Sequence, residues 1–594
     1  MPLLLCCLVP VLLAIPSPRP TLAYTVTFDS AALDIVHVAL RIENAPPSFR
    51  LAMKVHPEYD AMYWRYLDSL HVDGSGRVTR TDSTLWNVSV SGGRAVLRYR
   101  IRVQPQSGTL RDSWRPFVDR TGALINPPDF FLYLPDFPEA PATVELRAPA
   151  DWRIATSLAR TSEGARGTFA APDAATLLDS PILLGHFREW SFADAGTTFH
   201  VIYWPLANGT PFDTTAFVDG IRRLAHETMA MFGRAPSATF SFYIVDGAQD
   251  ALEHRASVTV GIPSVQLARD PHAFITEIAH EFFHSWNLVA IHPDRYGELS
   301  YRKTTPTTGL WWGEGVTLYY ANTLTRRAGV ADTGQSRLDR LRSLLRSSYA
   351  SWWSGRVSPE QASLAFGASL IENPNASGSY YTQGELLGTE LDALIRDSTN
   401  DTRTLDDVMR AMFTRSVPGR GYTSAELEAV VDSVCGCRLD AVFANQIRGH
   451  APIDVNPALR RVGLQAVVDT IEAVNEQGVP SADLRISIDF SREGPPLRIV
   501  IANAASAWLR AGLRTGDELI SIDGAPVASF AELRRILSGL RVGQRVTVNV
   551  RRNGRPIALT APVTGYSVPR VRFVDVDSVT ATQRARRERW LAGW

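Results

Sequence analysis

Residues 277–287 read EIAHEFFHSWN, and within them His280-Glu281-Phe282-Phe283-His284 is an H-E-x-x-H string. Phe274, Ile275, Ile278, Phe282 and Trp286 are apolar at helical spacing, which predicts a buried or half-buried helix within 272–290. On such a helix His280 and His284 stand one turn apart on one face. Two imidazoles so placed can share one tetrahedral Zn²⁺ at ~2.0–2.1 Å. Glu281 follows the first histidine and can lean over the open coordination position as a general base toward water. Two histidines and a glutamate on an otherwise apolar helix are costly to bury without such a partner.

A zinc site needs a third protein ligand, and no H-x-x-G-x-x-H continuation follows His284. Thirty residues on, Glu314 stands alone among large apolar side chains in GLWWGEGVTLYYANTLTRR (309–327). That segment reads as an apolar helix, where a lone carboxylate is expensive unless it binds metal or pairs. Glu314 is the expected third ligand. Amide hydrolysis also builds an oxyanion that wants a second donor. Tyr380 and Tyr381, opening the helical GSYYTQGELLGTELDALI (378–395), are equal candidates on the residues alone.

The chain around this site has 594 residues, enough for three to four domains. Lys+Arg and Asp+Glu are both 61, so the chain is neither a strongly basic nucleic-acid binder nor a polybasic membrane binder. Four cysteines give no disulfide framework and no zinc ribbon; Cys435 and Cys437 form a lone C-G-C. Residues 3–15, LLLCCLVPVLLAI, are apolar and short, and Thr21-Leu22-Ala23 offers a cut before Tyr24. This is similar to a secretory signal peptide over 1–23, although its first residues carry no Lys or Arg. No later stretch reaches ~18 consecutive apolar residues. The expectation is an exported chain, periplasmic or extracellular, with no transmembrane anchor after cleavage.

Residues 24–190 alternate as strands (TVTFDS, IVHVALRIEN, AVLRYRIRVQ, TVELRAP) and predict an all-β, sandwich-like N-terminal domain. Residues 191–455 predict an α+β domain: short strands (FHVIYWPL, ATFSFYIVDG), a helix near 213–233, then a mostly helical half. Residues 456–565 are β-rich with one helix near 529–539, and 566–594 form a tail ending in RARRERWLAGW.

HEFFHSWN, LWWGEGVTLYY and YYTQGELLGTELDALIRDSTNDTRTLDDVMRAMF, in this order, resemble the glycyl aminopeptidase family of PDZ-carrying gluzincin zinc peptidases. The resemblance implies a thermolysin-like catalytic domain over 191–455, one Zn²⁺ per chain on His280, His284 and Glu314, and Glu281 as base and proton shuttle. It selects Tyr381 over Tyr380 as the oxyanion donor. DALEHRAS (250–257) is similar to the family's G-G-L-E-H-x-x-S strand, which gives Glu253 the substrate α-ammonium. Asp250-Ala251 stands where Gly-Gly is usual, and Leu-Val-Ala-Ile-His-Pro (288–293) where a basic run is common. AGLRTGDELISIDG (511–524), FAELRRILSGL and RVTVNVRRNG resemble a PDZ domain, which binds extended C-terminal peptides by strand addition, with ADLRISIDF (482–490) as its first strand. The implied activity is removal of N-terminal residues, small ones such as Gly or Ala, from peptides with a free N-terminus. The rival readings are a zinc endopeptidase of the same fold and a non-catalytic PDZ peptide-binding protein.

Overall fold

The computed structural model describes residues 19–28, 33–55, 62–103, 110–161, 167–296, 301, 305–331, 336–483, 485–489, 495–503 and 505–594. Most of the expected signal peptide (1–18), together with Leu484 and Phe490 of the expected first PDZ strand, lies outside them. The expected cut after Ala23 falls within the strand Thr21–Phe28, in which Leu22 pairs with both Ile42 and Ala142.

The N-terminal domain is built from alternating strands. Thr21–Phe28 lies between Ile35–Ala45, antiparallel, and Ala142–Arg147, parallel, in a seven-stranded sheet. In Ile35–Ala45 the alternation Val36, Val38, Leu40, Ile42 turns a wholly buried face to the core. A four-stranded and a three-stranded sheet complete the unit.

In the next domain three parallel strands, Thr197–Trp204, Thr239–Val245 and Ser257–Gly261, form the middle of a five-stranded sheet. Ala251–His254 is its edge strand, antiparallel to Ser257–Gly261. The helix Ile275–Phe283 packs its apolar face on this sheet: the Phe282 ring lies 4.9 Å from Phe240, 5.3 Å from Phe242 and 5.8 Å from Phe199. The expected 272–290 helix is therefore shorter, and Leu288 at φ 139° marks the turn that follows it.

The segment around Glu314 also differs from the expected plain helix. Trp311–Val316 is a π-turn, and only Thr317–Arg327 is α-helical. Gly313 and Gly315 within it have low helix propensity. A Cβ on Gly315 would meet the Gly384 Cα at 2.5 Å, and one on Gly384 would meet the Trp311 carbonyl oxygen at 2.0 Å. The π-turn thus crosses the helix Tyr380–Ser398 backbone to backbone.

The 456–594 region is not a domain followed by a free tail. Leu464–Glu472 and Ser567–Asp575 pair over nine residues as an antiparallel ribbon, with the PDZ-like sheet and its helix Phe530–Ser538 between them. Beyond the ribbon, the helix Ala581–Leu591 returns to the 191–455 domain: Arg586 meets Asp401 at 2.7 Å, and Arg337 stacks 4.6 Å over Trp590. Cys435 and Cys437 are joined as a disulfide. Among the described residues no helix is long and apolar enough to cross a membrane.

One buried carboxyl is placed where its neutral form is favoured. Gln446 Nε2 donates to Glu390 Oε1 at 3.1 Å, while Glu390 Oε2 and Gln446 Oε1 are both buried without a partner. A proton on Oε2 avoids leaving a charged oxygen buried without a partner. Burial first, and Asp454 in addition, push the Glu390 carboxyl up to about 7. Between the unfolded value near 4.5 and about 7, the folded chain holds a proton that the unfolded chain releases. This group's contribution to stability therefore falls as pH rises through that window, by of order 3 kcal/mol at full ionisation. Glu390→Gln should melt close to wild type at pH 5 and higher than wild type at pH 8. A second prediction concerns the crossing: Gly384→Ala should lower the denaturant midpoint by the equivalent of about 1–3 kcal/mol, and an unchanged midpoint would show that the backbones do not meet there.

Candidate functional site

The structure brings His280, His284 and Glu314 together, although Glu314 is thirty residues away in sequence. The His280 and His284 Nε2 atoms are 3.0 Å apart. Glu314 Oε2 lies 3.3 Å from the first and 3.2 Å from the second. Three donors of a tetrahedral zinc, each at ~2.0–2.1 Å from the metal, are separated by roughly 3.3–3.4 Å. His284 Nδ1 is 3.0 Å from the Asn287 carbonyl oxygen, which can only accept. That fixes the proton on Nδ1 in the neutral ring and turns the Nε2 lone pair toward the other two donors. The donor set fits a zinc with its fourth position open.

A second triad shares His284. One ligand atom each of Glu253, Glu281 and His284 lie within 4.8 Å of one another. Glu281 comes from the same helix as the histidines, and Glu253 from the edge strand Ala251–His254. Tyr381 opens the helix Tyr380–Ser398, its ring 6.5 Å from that of His280. Five of the six sequence-selected side chains thus form one cluster joined at His284, and the Tyr381 ring stands beside it.

The electrostatics of the cluster call for a cation. Burial pushes the Glu281 carboxyl well up, and its neighbours Glu253 and Glu314 add to the shift. Burial likewise raises Glu253. Glu314 moves the other way: burial opposes its charge, but His284 and the hydrogen bonds from both imidazoles hold it below the usual carboxylate range. Burial and the His284 charge push His280 down. Burial works against the His284 charge too, yet Glu314, Glu253 and Glu281 together carry it up to about 10. Three carboxyls around two imidazoles make one positive charge at their centre favourable, and a divalent ion on the three converging donors meets that need.

The 250–251 departure has a backbone reason. Asp250 sits at φ 59°, the left-handed region that glycine favours and aspartate tolerates. The edge strand is also held by the N-terminal domain: Asp179 accepts from the Arg255 N–H at 3.1 Å and lies 3.3 Å from His254 Nδ1. Sequence reasoning missed this clamp, for which there is no local signal. It also missed the wholly buried Asn287, whose signal is a polar residue between Trp286 and Leu288.

Comparison with known proteins adds the family. The Peptidase M61 N-terminal domain model matches residues 23–186, the M61 glycyl aminopeptidase model 273–387, and a PDZ domain model 484–563. An aminopeptidase N family protein from Idiomarina loihiensis shares the fold at TM-score 0.73 and 19% identity, over 96% of this chain and 100% of that one. A protein described as a zinc metalloprotease from Mesorhizobium japonicum is 34% identical over 67 residues, 11% of this chain and 17% of its own length. A serine protease Do-like HtrA from Lactobacillus helveticus is 30% identical over 98 residues, 16% of this chain and 23% of its own length. The chain thus spans about a fifth of the length of these curated relatives. With the matched catalytic and N-terminal segments and the PDZ domain behind them, the chain belongs to the M61 glycyl aminopeptidase family of zinc metallopeptidases.

Proposed function

We propose that the chain is an exported aminopeptidase that removes N-terminal residues, with a preference for small ones such as Gly and Ala, from peptides. The observation that carries this reading is the third carboxylate, Glu253, gathered beside Glu281 and His284. It is not needed as a ligand or as a base. On an edge strand it suits the α-ammonium of a substrate lying along that edge. An endopeptidase substrate would bring a neutral amide to this half-buried carboxyl, a weaker match than an ammonium.

His280, His284 and Glu314 would hold one zinc; the second triad shares only His284 with them, and leaves other roles to Glu253 and Glu281. The chemistry supplied by that ion when bound is polarisation of the scissile carbonyl and a lowered pKa, ~7, for its water. Glu281 takes the proton of the attacking water and delivers it to the leaving amine. Tyr381 donates its phenolic hydrogen bond to the developing oxyanion. Glu253 sets the register, so that one residue leaves per turn. The PDZ domain takes an extended C-terminal peptide by strand addition. Export is supported by the apolar N-terminal address and by the Cys435–Cys437 bond, which suits an oxidising compartment.

Glu281→Gln should keep the fold and lose about 10²–10⁴-fold in kcat on Gly- and Ala-anilides; near-wild-type turnover would end its role as base. A panel of peptides with free and N-acetylated termini tests the aminopeptidase reading as a whole. Wild type should cleave the free ones far faster than the blocked ones, and efficient cleavage of the blocked ones would favour an endopeptidase. Glu253→Ala should depress kcat/KM on the free-amine peptides far more than on any blocked peptide, and equal losses would reject its ammonium role.

A further inference from the structure

Asn287 lies three residues beyond His284 and is wholly buried. Its backbone carbonyl accepts from His284 Nδ1 at 3.0 Å. Its side chain reaches the other half of the site: Nδ2 donates to the Trp312 carbonyl at 2.8 Å and to Thr317 Oγ1 at 3.0 Å. Thr317 Oγ1 in turn donates to the Gly313 carbonyl at 2.7 Å. These carbonyls belong to the π-turn Trp311–Val316, which carries Glu314. The i→i+5 pattern interrupts the regular i→i+4 ladder and leaves carbonyls that need another donor. One residue therefore orients a histidine through its backbone and stabilises, through its side chain, the irregular turn that aims the glutamate.

The arrangement is poor as a device for stability alone. Asn287 Oδ1 is buried without a partner, a standing cost. An apolar side chain on a regular helix would avoid it. What the amide adds is geometry: it ties the turn after one helix to the start of the next, where donors from both converge at 3.2 Å.

We propose that Asn287, with Thr317, is a positioning residue for the metal site, setting the separation between His284 and Glu314 by holding the π-turn open. This rests on the reading of His280, His284 and Glu314 as zinc ligands. Asn287→Asp keeps the shape but sets a carboxylate oxygen against the Trp312 carbonyl. Thr317→Val keeps the shape and removes the hydroxyl, whereas Thr317→Ser keeps the hydroxyl.

The test measures zinc affinity by competition with a chromophoric chelator, together with the thermal midpoint of each metal-free protein. Asn287→Asp and Thr317→Val should each bind zinc about 10–100-fold more weakly than wild type. Thr317→Ser should stay within about threefold, with a metal-free midpoint close to wild type. Asn287→Asp, which buries a carboxylate, should melt lower, so the Thr317→Val and Thr317→Ser pair carries the stability control. Wild-type affinity in both Asn287→Asp and Thr317→Val would overturn the proposal. So would a loss of affinity in Thr317→Val that only follows a loss of metal-free stability. Should Asn287→Asp fail to fold, the Thr317→Val and Thr317→Ser pair decides alone. Absence of zinc binding by wild type itself would instead overturn the ligand assignment.

Discussion

Burying several ionisable groups in one small volume is tolerable only if their charges are organised, and here the organising demand is for a cation. Glu253, Glu281 and Glu314 surround His280 and His284, and the three carboxyls favour positive charge at His284 against its burial. Each carboxylate arrives on a different kind of element: an edge strand, a regular helix and a π-turn. The fold around the site can be understood as the means of holding those three elements at one point.

The supports differ in kind. The helix bearing the histidines is fixed by an aromatic layer on the parallel sheet, with Phe282 between Phe199, Phe240 and Phe242. The π-turn is fixed by backbone contact with the Tyr381-bearing helix through Gly315 and Gly384, where no side chain fits. The edge strand is fixed from outside, by Asp179 of the N-terminal domain against His254 and Arg255. This gives the N-terminal domain a direct physical connection to the strand that carries Glu253. The PDZ-like unit is joined by a paired ribbon whose far end continues into the helix Ala581–Leu591, which docks on the catalytic domain, so both of its connections run to the same body.

Much of this was legible in the residues. The spacing of His280 and His284 is a local property of a helix, and the isolation of Glu314 among tryptophans and tyrosines marked it as an acid with a task. Tyr381 and Glu253 were separable from their bland alternatives only through the family resemblance, because nothing local distinguishes Tyr381 from Tyr380. The π-turn was not legible. It packs through a tertiary contact between two glycines sixty-nine residues apart, and the apolar pattern is the same for an α-helix. Asn287 and Asp179 escaped for the same reason, since their partners lie on other elements. The ribbon escaped because strand pairing across an intervening domain leaves no periodic signature.

The central claim is that three side chains from the Ile275–Phe283 helix, its C-terminal cap and the π-turn hold one ion. Anomalous diffraction at the zinc edge, on crystals of the zinc-loaded protein, tests this directly. The account predicts one strong peak per chain, ~2.0–2.1 Å from His280 Nε2, His284 Nε2 and a Glu314 carboxylate oxygen. A peak held by other residues, or none from crystals that diffract well, would contradict it.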